Sequence, residues 1–347
     1  MNRFFTPLLI FIPLAILAVA LAWPPLAVFV LSALALIPLA KFIGDSTEDL
    51  AARTSPAMGG LLNATFGNAT ELMVGLFALN AGLIEVVKAS ITGSIIGNLL
   101  LVLGTAMLAG GWTRERQHFN ATAAKATGSS LILATTALVI PAIFLLTGGG
   151  NQVQVEHLSI LVSLLLIIAY AASLLFSLHT HKHLYQEEAQ VAAPKWSVRK
   201  SIIILFAATI GAAYMSDILV SAITPLVDTL GWTQLFIGVV VIAIAGNVGE
   251  HFSAVTAAMK DRMDLSLQIS IGSATQVVMF VAPVLVLASV FMGAPMDLVF
   301  HLFELVAIIF SVFVTYSVVE DGVSTWYEGF QLITAYVIMA VAFYFHA

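Results

Sequence analysis

Residues 61–79 read LLNATFGNATELMVGLFAL, and residues 235–255 read LFIGVVVIAIAGNVGEHFSAV. Inside them one motif occurs twice, 179 residues apart: Gly67-Asn68-Ala69-Thr70-Glu71 and Gly246-Asn247-Val248-Gly249-Glu250. Neither stretch contains a lysine or arginine to neutralise its glutamate. A carboxylate near a bilayer centre costs about 2.5–3.5 kcal/mol on insertion scales, so such residues mark tasks. Two of them at matching places in two half-chains point to a cation pathway with two-fold pseudo-symmetry.

Composition supports that setting. The chain has 347 residues, is 60% hydrophobic and 9% charged, and has a mean hydropathy of +1.04. An ordinary soluble domain carries about 25% charged residues. The longest polar stretch, about Thr180 to Lys200, is too short for a separate soluble domain. A net charge of −6 without a basic stripe excludes nucleic acid as a partner. With no cysteine, thiolate metal sites and disulfides are excluded. The oxygen ligands that remain suit hard cations.

Apolar runs of about 18–25 residues suit membrane-crossing helices. Eleven are expected: 4–22, 25–43, 58–80, 84–111, 120–147, 155–179, 201–222, 233–259, 264–292, 298–319 and 326–345. The first could imitate a cleaved signal peptide, with Arg3 ahead of it and Ala20-Leu21-Ala22 at its end. Pro24 just past that point, and an apolar run beginning at Pro24-Pro25, favour an uncleaved span. With the N-terminus cytosolic, 12 of the 13 basic residues fall inside and only Lys88 outside, as the positive-inside rule requires. The C-terminus then lies outside.

The third and eighth spans carry the motifs and enter the membrane from opposite sides, so the repeats are inverted. The expected organisation is an N-terminal span (1–24), a five-helix repeat (25–180), a cytosolic linker (181–200) and a second five-helix repeat (201–347). This is an all-α polytopic membrane fold. A shift of 179 also aligns Ala78, Gly93 and Ser94 with Ala257, Gly272 and Ser273.

Asn68 and Glu71 are three apart and share a helix face, as do Asn247 and Glu250. Gly67 and Gly246 open the motifs and tolerate a break in the helix, which frees carbonyl oxygens where they line a site. Ser94, Asn98, Ser273 and Gln276 add oxygens from the fourth and ninth spans. Calcium takes roughly 6–8 such ligands in flexible geometry, and two carboxylates match a divalent charge. A carboxylate removed from water holds its proton more tightly, and a bound dication displaces it, so proton and metal compete for one place.

Each of these residues also has a structural reading. Asn68, Asn247 and Gln276 could serve as interhelical hydrogen-bonding groups, and Gly67 and Gly246 as packing positions. His251, about 100° round the helix from Glu250, is a site-tuning group or an ordinary packed histidine. For His301 and Glu304, an interhelical hydrogen bond is favoured over a second proton site. His179, His181 and His183 read as a solvated loop rather than a metal cluster, and Asp217 as interfacial.

The chain also resembles a known family. Gly67-Asn-Ala-Thr-Glu-Leu72, followed by Ser90-Ile-Thr-Gly-Ser-Ile-Ile-Gly-Asn-Leu-Leu-Leu-Val-Leu-Gly104, is similar to the first repeat signature of the cation/proton exchangers. Gly246-Asn-Val-Gly-Glu-His251 and Ser270-Ile-Gly-Ser-Ala-Thr-Gln276 resemble the second. Phe119-Asn120, Asp321-Gly322, Trp326 and Glu328-Gly329 extend the likeness over nearly the whole chain. The resemblance implies a calcium/proton antiporter of the calcium/cation antiporter superfamily. Glu71 and Glu250 would be its transport carboxylates, with Asn68, Asn247 and Gln276 lining the site. It implies Ca2+ and H+ as transported ions and no cofactor. Family members often carry a longer acidic segment between the halves, which here shrinks to Glu187-Glu188.

A sodium-coupled exchanger is the runner-up, although the Thr-Ser-x-Pro-Glu motif typical of that branch is absent. A passive divalent channel ranks below it. An intramembrane enzyme lacks its constellation, since neither His-Glu-x-x-His nor Gly-x-Ser-x-Gly occurs. The partners expected are the lipid bilayer and the two ions, and a homo-oligomer is compatible with the sequence. Short loops and the absence of targeting tails point to a prokaryotic plasma membrane.

Overall fold

A computed structural model describes residues 2–54, 56–148, 150–181, 184 and 195–346. His183 and Glu187-Glu188, with most of the linker, lie outside the described residues. The helices are α1 (Phe5–Ala20), α2 (Pro25–Ala51), α3 (Pro56–Phe66), α4 (Ala69–Asn80), α5 (Ile84–Gly111), α6 (Ala121–Leu146), α7 (Gln152–Thr180), α8 (Val198–Leu230), α9 (Gln234–Met259), α10 (Met263–Phe291), α11 (Leu302–Val319) and α12 (Trp326–Phe345). Among the described residues nine of them are long and apolar enough to cross a membrane, while α1 and α4 are shorter apolar helices.

Helices stand at all eleven expected places, although the seventh runs past residue 222 to Leu230 and two further corrections apply. The third span is not one helix: it breaks between Phe66 and Ala69 into α3 and α4. The second span does not stop near residue 43, because α2 continues to Ala51 and carries Asp45, Glu48 and Asp49 with it.

Local chemistry sets many of the ends. Pro25 occupies the first turn of α2, where its missing N–H costs nothing. Asn120 accepts from Thr122 N and Ala123 N to start α6. Asn151 with Gln154 and Thr325 with Glu328 form capping boxes at α7 and α12. Gly231, at φ 68°, closes α8 in a conformation that other residues resist.

The chain divides into two compact units, each drawing helices from both halves of the sequence. The first comprises Met1–Ser90, Leu178–Thr180 and Glu188–Gly249. Within it α2 packs along α8, which also meets α4. Leu36, Ile43, Ala212, Met215 and Leu219 are buried there. Where α2 ends and α8 begins, Asp49 accepts from Lys195 N (2.5 Å), Trp196 N (3.1 Å) and Ser201 Oγ (2.9 Å), tying the start of α8 to α2.

The second unit comprises Ile91–Ser177, His181–Glu187 and Glu250–Ala347. In it α5 packs on α12 and α10, and α10 packs on α6 and α7. The apolar window of α5 is 83% buried, against 22% for α7 and α12, so α5 is interior and the other two are peripheral. Gly104 and Gly329 explain how closely α5 and α12 approach: a Cβ on Gly329 would stand 2.4 Å from Leu108 N and 2.6 Å from Gly104 O. The Phe119-Asn120 and Asp321-Gly322 positions meet around a two-stranded antiparallel pair, Gln117–His118 with Val323–Ser324. Phe119 N bonds Gly322 O there at 3.0 Å. Large apolar side chains such as Leu165, Phe206, Ile210 and Phe313 face outward, as lipid-exposed residues do.

Candidate cation site

The first motif lies in unit one at the joint between α3 and α4. Gly67 N still bonds Asn63 O at 2.7 Å, but the chain then leaves the helical path at Asn68 (φ −105°, ψ 25°). A Cβ on Gly67 would stand 2.5 Å from Asn63 O, so glycine is required at this break. Asn68 is fully buried. Glu71 follows in the first turn of α4, where the free N–H groups of a helix start favour negative charge.

The second motif behaves differently. No break occurs at Gly246, and α9 runs unbroken through it to Met259. The difference follows from the residues upstream. Asn63 and Thr65 offer side chains that compete for backbone groups, whereas Val239–Ala245 is entirely apolar. The irregularity in α9 lies earlier, as a π-helical turn at Ile237–Ile242. Gly246 instead makes room: a Cβ there would lie 3.8 Å from Glu71 Oε1. Asn247 is buried and donates from Nδ2 to Ala243 O at 2.8 Å.

Unit two holds the remaining residues. Asn98 Nδ2 donates to Ser273 Oγ at 3.1 Å, and Ser273 Oγ donates to Glu250 Oε2 at 2.6 Å. This directed chain links α5, α10 and the glutamate of α9. Ser94, Asn98 and Ser273 are buried, while Glu250, His251 and Gln276 are half-buried. Asn98 lies inside a π-helical turn of α5, Gly97–Val102, and Gln276 immediately precedes another in α10, Val277–Val281. Such turns are rare and concentrate at functional sites.

Thus Gly67, Asn68, Glu71, Gly246 and Asn247 belong to unit one, and Ser94, Asn98, Glu250, His251, Ser273 and Gln276 to unit two. Glu304 is fully buried, accepting from Thr92 Oγ1 (2.9 Å) and His301 N (2.9 Å), which is the interhelical bond expected of it. His181 stacks on Phe176 with ring centres 4.1 Å apart, and Asp217 is exposed. Among the described residues no three His, Asp or Glu side chains gather as a metal cluster. Gly249 was not anticipated: a Cβ there would lie 3.9 Å from the backbone of Lys41. Its signal in the sequence was a departure from the repeat, glycine where the first motif has Thr70.

Comparison with known proteins gives the class. The model of the sodium/calcium exchanger protein family matches residues 24–179 and again 200–345, and the chain belongs to that family. It is 44% identical to the Ca(2+)/H(+) antiporter of Aphanothece halophytica, over 99% of this chain and 97% of that one. It is also 44% identical to the Ca(2+)/H(+) antiporter ChaA of Bacillus subtilis (strain 168), over 99% of each. The solved structure of native YfkE superposes with a TM-score of 0.87 at 41% identity, covering 98% of this chain and 99% of that one.

Proposed function

We propose that this protein is a secondary active antiporter that exports Ca2+ from the cytosol in exchange for protons. Glu71 and Glu250 bind the dication or protons in competition, and alternating access carries the exchange. The observation that carries this reading is a carboxylate at the same place in two matched segments. One stands at a helix start beside a glycine gap, and the other accepts from a hydroxyl at 2.6 Å. Asn68, Asn247 and Gln276 are the amide ligands of the reading. Gly67, Gly246, Ser94, Asn98, Ser273 and His251 line the site. The protein acts as a transporter, not an enzyme.

The two matches to one family model support two five-helix repeats, 25–180 and 201–347, after an N-terminal span and around a linker at 181–200. The basic-residue count supports a cytosolic N-terminus and an outer C-terminus, and the bacterial relatives support a prokaryotic plasma membrane.

The test is transport in proteoliposomes under a pH gradient without sodium. Calcium accumulates against its own gradient, and collapsing the proton gradient stops it. Glu71→Gln and Glu250→Gln abolish the flux in folded protein, and full activity in either variant would refute the scheme. The family's description also covers sodium-coupled exchange. Uptake that waits for a sodium gradient would assign the protein to that branch.

A further inference from the structure

The Lys41–Asp45 pair belongs to neither motif and takes no part in the polar chain around Glu250. Lys41 Nζ lies 2.7 Å from Asp45 Oδ1, with the two side chains 7% and 1% exposed. Taking two charges out of water costs several kcal/mol per ion, so a buried pair is poor insurance for stability and invites another explanation.

Its surroundings supply one. Where α9 presents Gly249, the backbone of Lys41 on α2 is close enough that a Cβ would lie 3.9 Å from its N and Cα. Gly249 is the residue before Glu250. Three residues back on the same face of α9, a Cβ on Gly246 would lie 3.8 Å from Glu71 Oε1. One face of α9 therefore meets the lysine-bearing turn of α2 and, a turn away, the carboxylate of α4.

Asp45 holds the lysine from one turn further along α2. Lys195 Nζ reaches the same oxygen at 3.3 Å, and Asp45 Oδ2 is buried with no hydrogen-bond partner among the described residues. The other charged groups on this part of α2 are engaged or solvated. Asp49 takes the three donors at the start of α8, Arg53 lies 3.8 Å from Asp49, and Glu48, although exposed, interacts electrostatically with Lys41, Asp45 and Lys195.

We propose that Lys41 and Asp45 set the cation affinity of the second motif. The Lys41 ammonium, carried by the residue whose backbone packs on Gly249 and bound to Asp45, opposes an approaching dication, and Asp45 offsets part of that opposition. Buried charges are weakly screened by salt, so their field reaches across a helix contact. Neither residue is a ligand; both act through the potential at the motif. The inference rests on the proposed binding of calcium there.

Its signature is that removing opposite charges has opposite effects. The test is radiolabelled calcium binding to the purified full-length protein at fixed pH and salt. Lys41→Met binds calcium about three-fold tighter or more, and Asp45→Asn weaker by a similar factor. The double variant returns to within about two-fold of the wild type, and Lys41→Arg, which keeps the charge, retains wild-type affinity. Lys195 still partners Asp45 in Lys41→Met, and a thermal unfolding curve in detergent establishes that this variant is folded before its binding is read. Should Asp45→Asn fail to fold, the Met and Arg variants at Lys41 decide alone. Weaker or unchanged binding in Lys41→Met overturns the inference and leaves the calcium reading standing. A wild-type protein that binds no calcium overturns that reading, and the inference with it.

Discussion

Ser273 accepts a hydrogen bond from Asn98 Nδ2 and passes one on to Glu250 Oε2 at 2.6 Å, so its hydroxyl has a defined direction. A hydroxyl fixed in that sense stabilises the ionised glutamate, the form that the proposed cation binding requires. Hydrogen bonds to charged groups are worth about 1.5–3 kcal/mol. Ser273→Ala is therefore expected to raise the KM for calcium about ten-fold in proteoliposome flux. Ser273→Thr, which keeps the hydroxyl, stays near the wild type.

Gly246 leaves a gap in front of Glu71, and the gap has a measurable size. At 3.8 Å from Oε1 an added methyl is in ordinary contact, whereas a longer side chain occupies the place of the ligand. Gly246→Ala should transport calcium, and Gly246→Leu should bind it poorly while keeping its fold. Equal activity in both would mean that the gap is not part of the site.

Glu304 illustrates a buried carboxylate with a structural task. Both of its oxygens are engaged, one by Thr92 on α5 and one by the backbone at the start of α11. A glutamine there can keep contact with both partners, so Glu304→Gln should exchange calcium at a near-normal rate. Glu304→Ala leaves donors unmet and should cost about 1–3 kcal/mol, read as a lower melting temperature in detergent. Loss of proton coupling in the glutamine variant would reveal a second proton site.

Gly329 is required by backbone, which cannot move aside as a side chain can. A Cβ would stand 2.4 Å from Leu108 N and 2.6 Å from Gly104 O. Gly329→Ala should destabilise the α5–α12 contact by about 1–3 kcal/mol, measured as a drop in the thermal unfolding midpoint. The glutamate next to it, Glu328, is spent on capping α12.

Much of this molecule is legible in its sequence. The eleven helical places were visible because an apolar run must be long enough to cross a bilayer, and length survives in sequence. Ser94, Asn98, Ser273 and Gln276 stood out because polar groups are rare in such runs, and the structure joins two of them to Glu250 in one chain of bonds. The unbroken helix at Gly246 was hidden, because a glycine permits a break without compelling one; Asn63 and Thr65 tip the balance only in the first motif. The reach of α2 to Ala51 was hidden as well. Residues 41–53 carry enough charge to read as a solvated joint, and only tertiary partners such as Ser201 and Lys195 show that Asp45 and Asp49 are interior. The π-helical turns left no mark in composition at all.

Those turns have a rotational consequence. Each accommodates about one residue more than an α-helix over the same length, so everything beyond it is turned by about 100°. Ser94 and Gly104 are ten residues apart on α5, with the turn at Gly97–Val102 between them. In an unbroken helix they would lie about 80° apart in azimuth; the extra residue moves them to about 180°. The polar stretch can then look one way while Gly104 seats α12 on the opposite flank. Deleting one residue from that turn, with every side chain named here left in place, would put the two flanks out of phase.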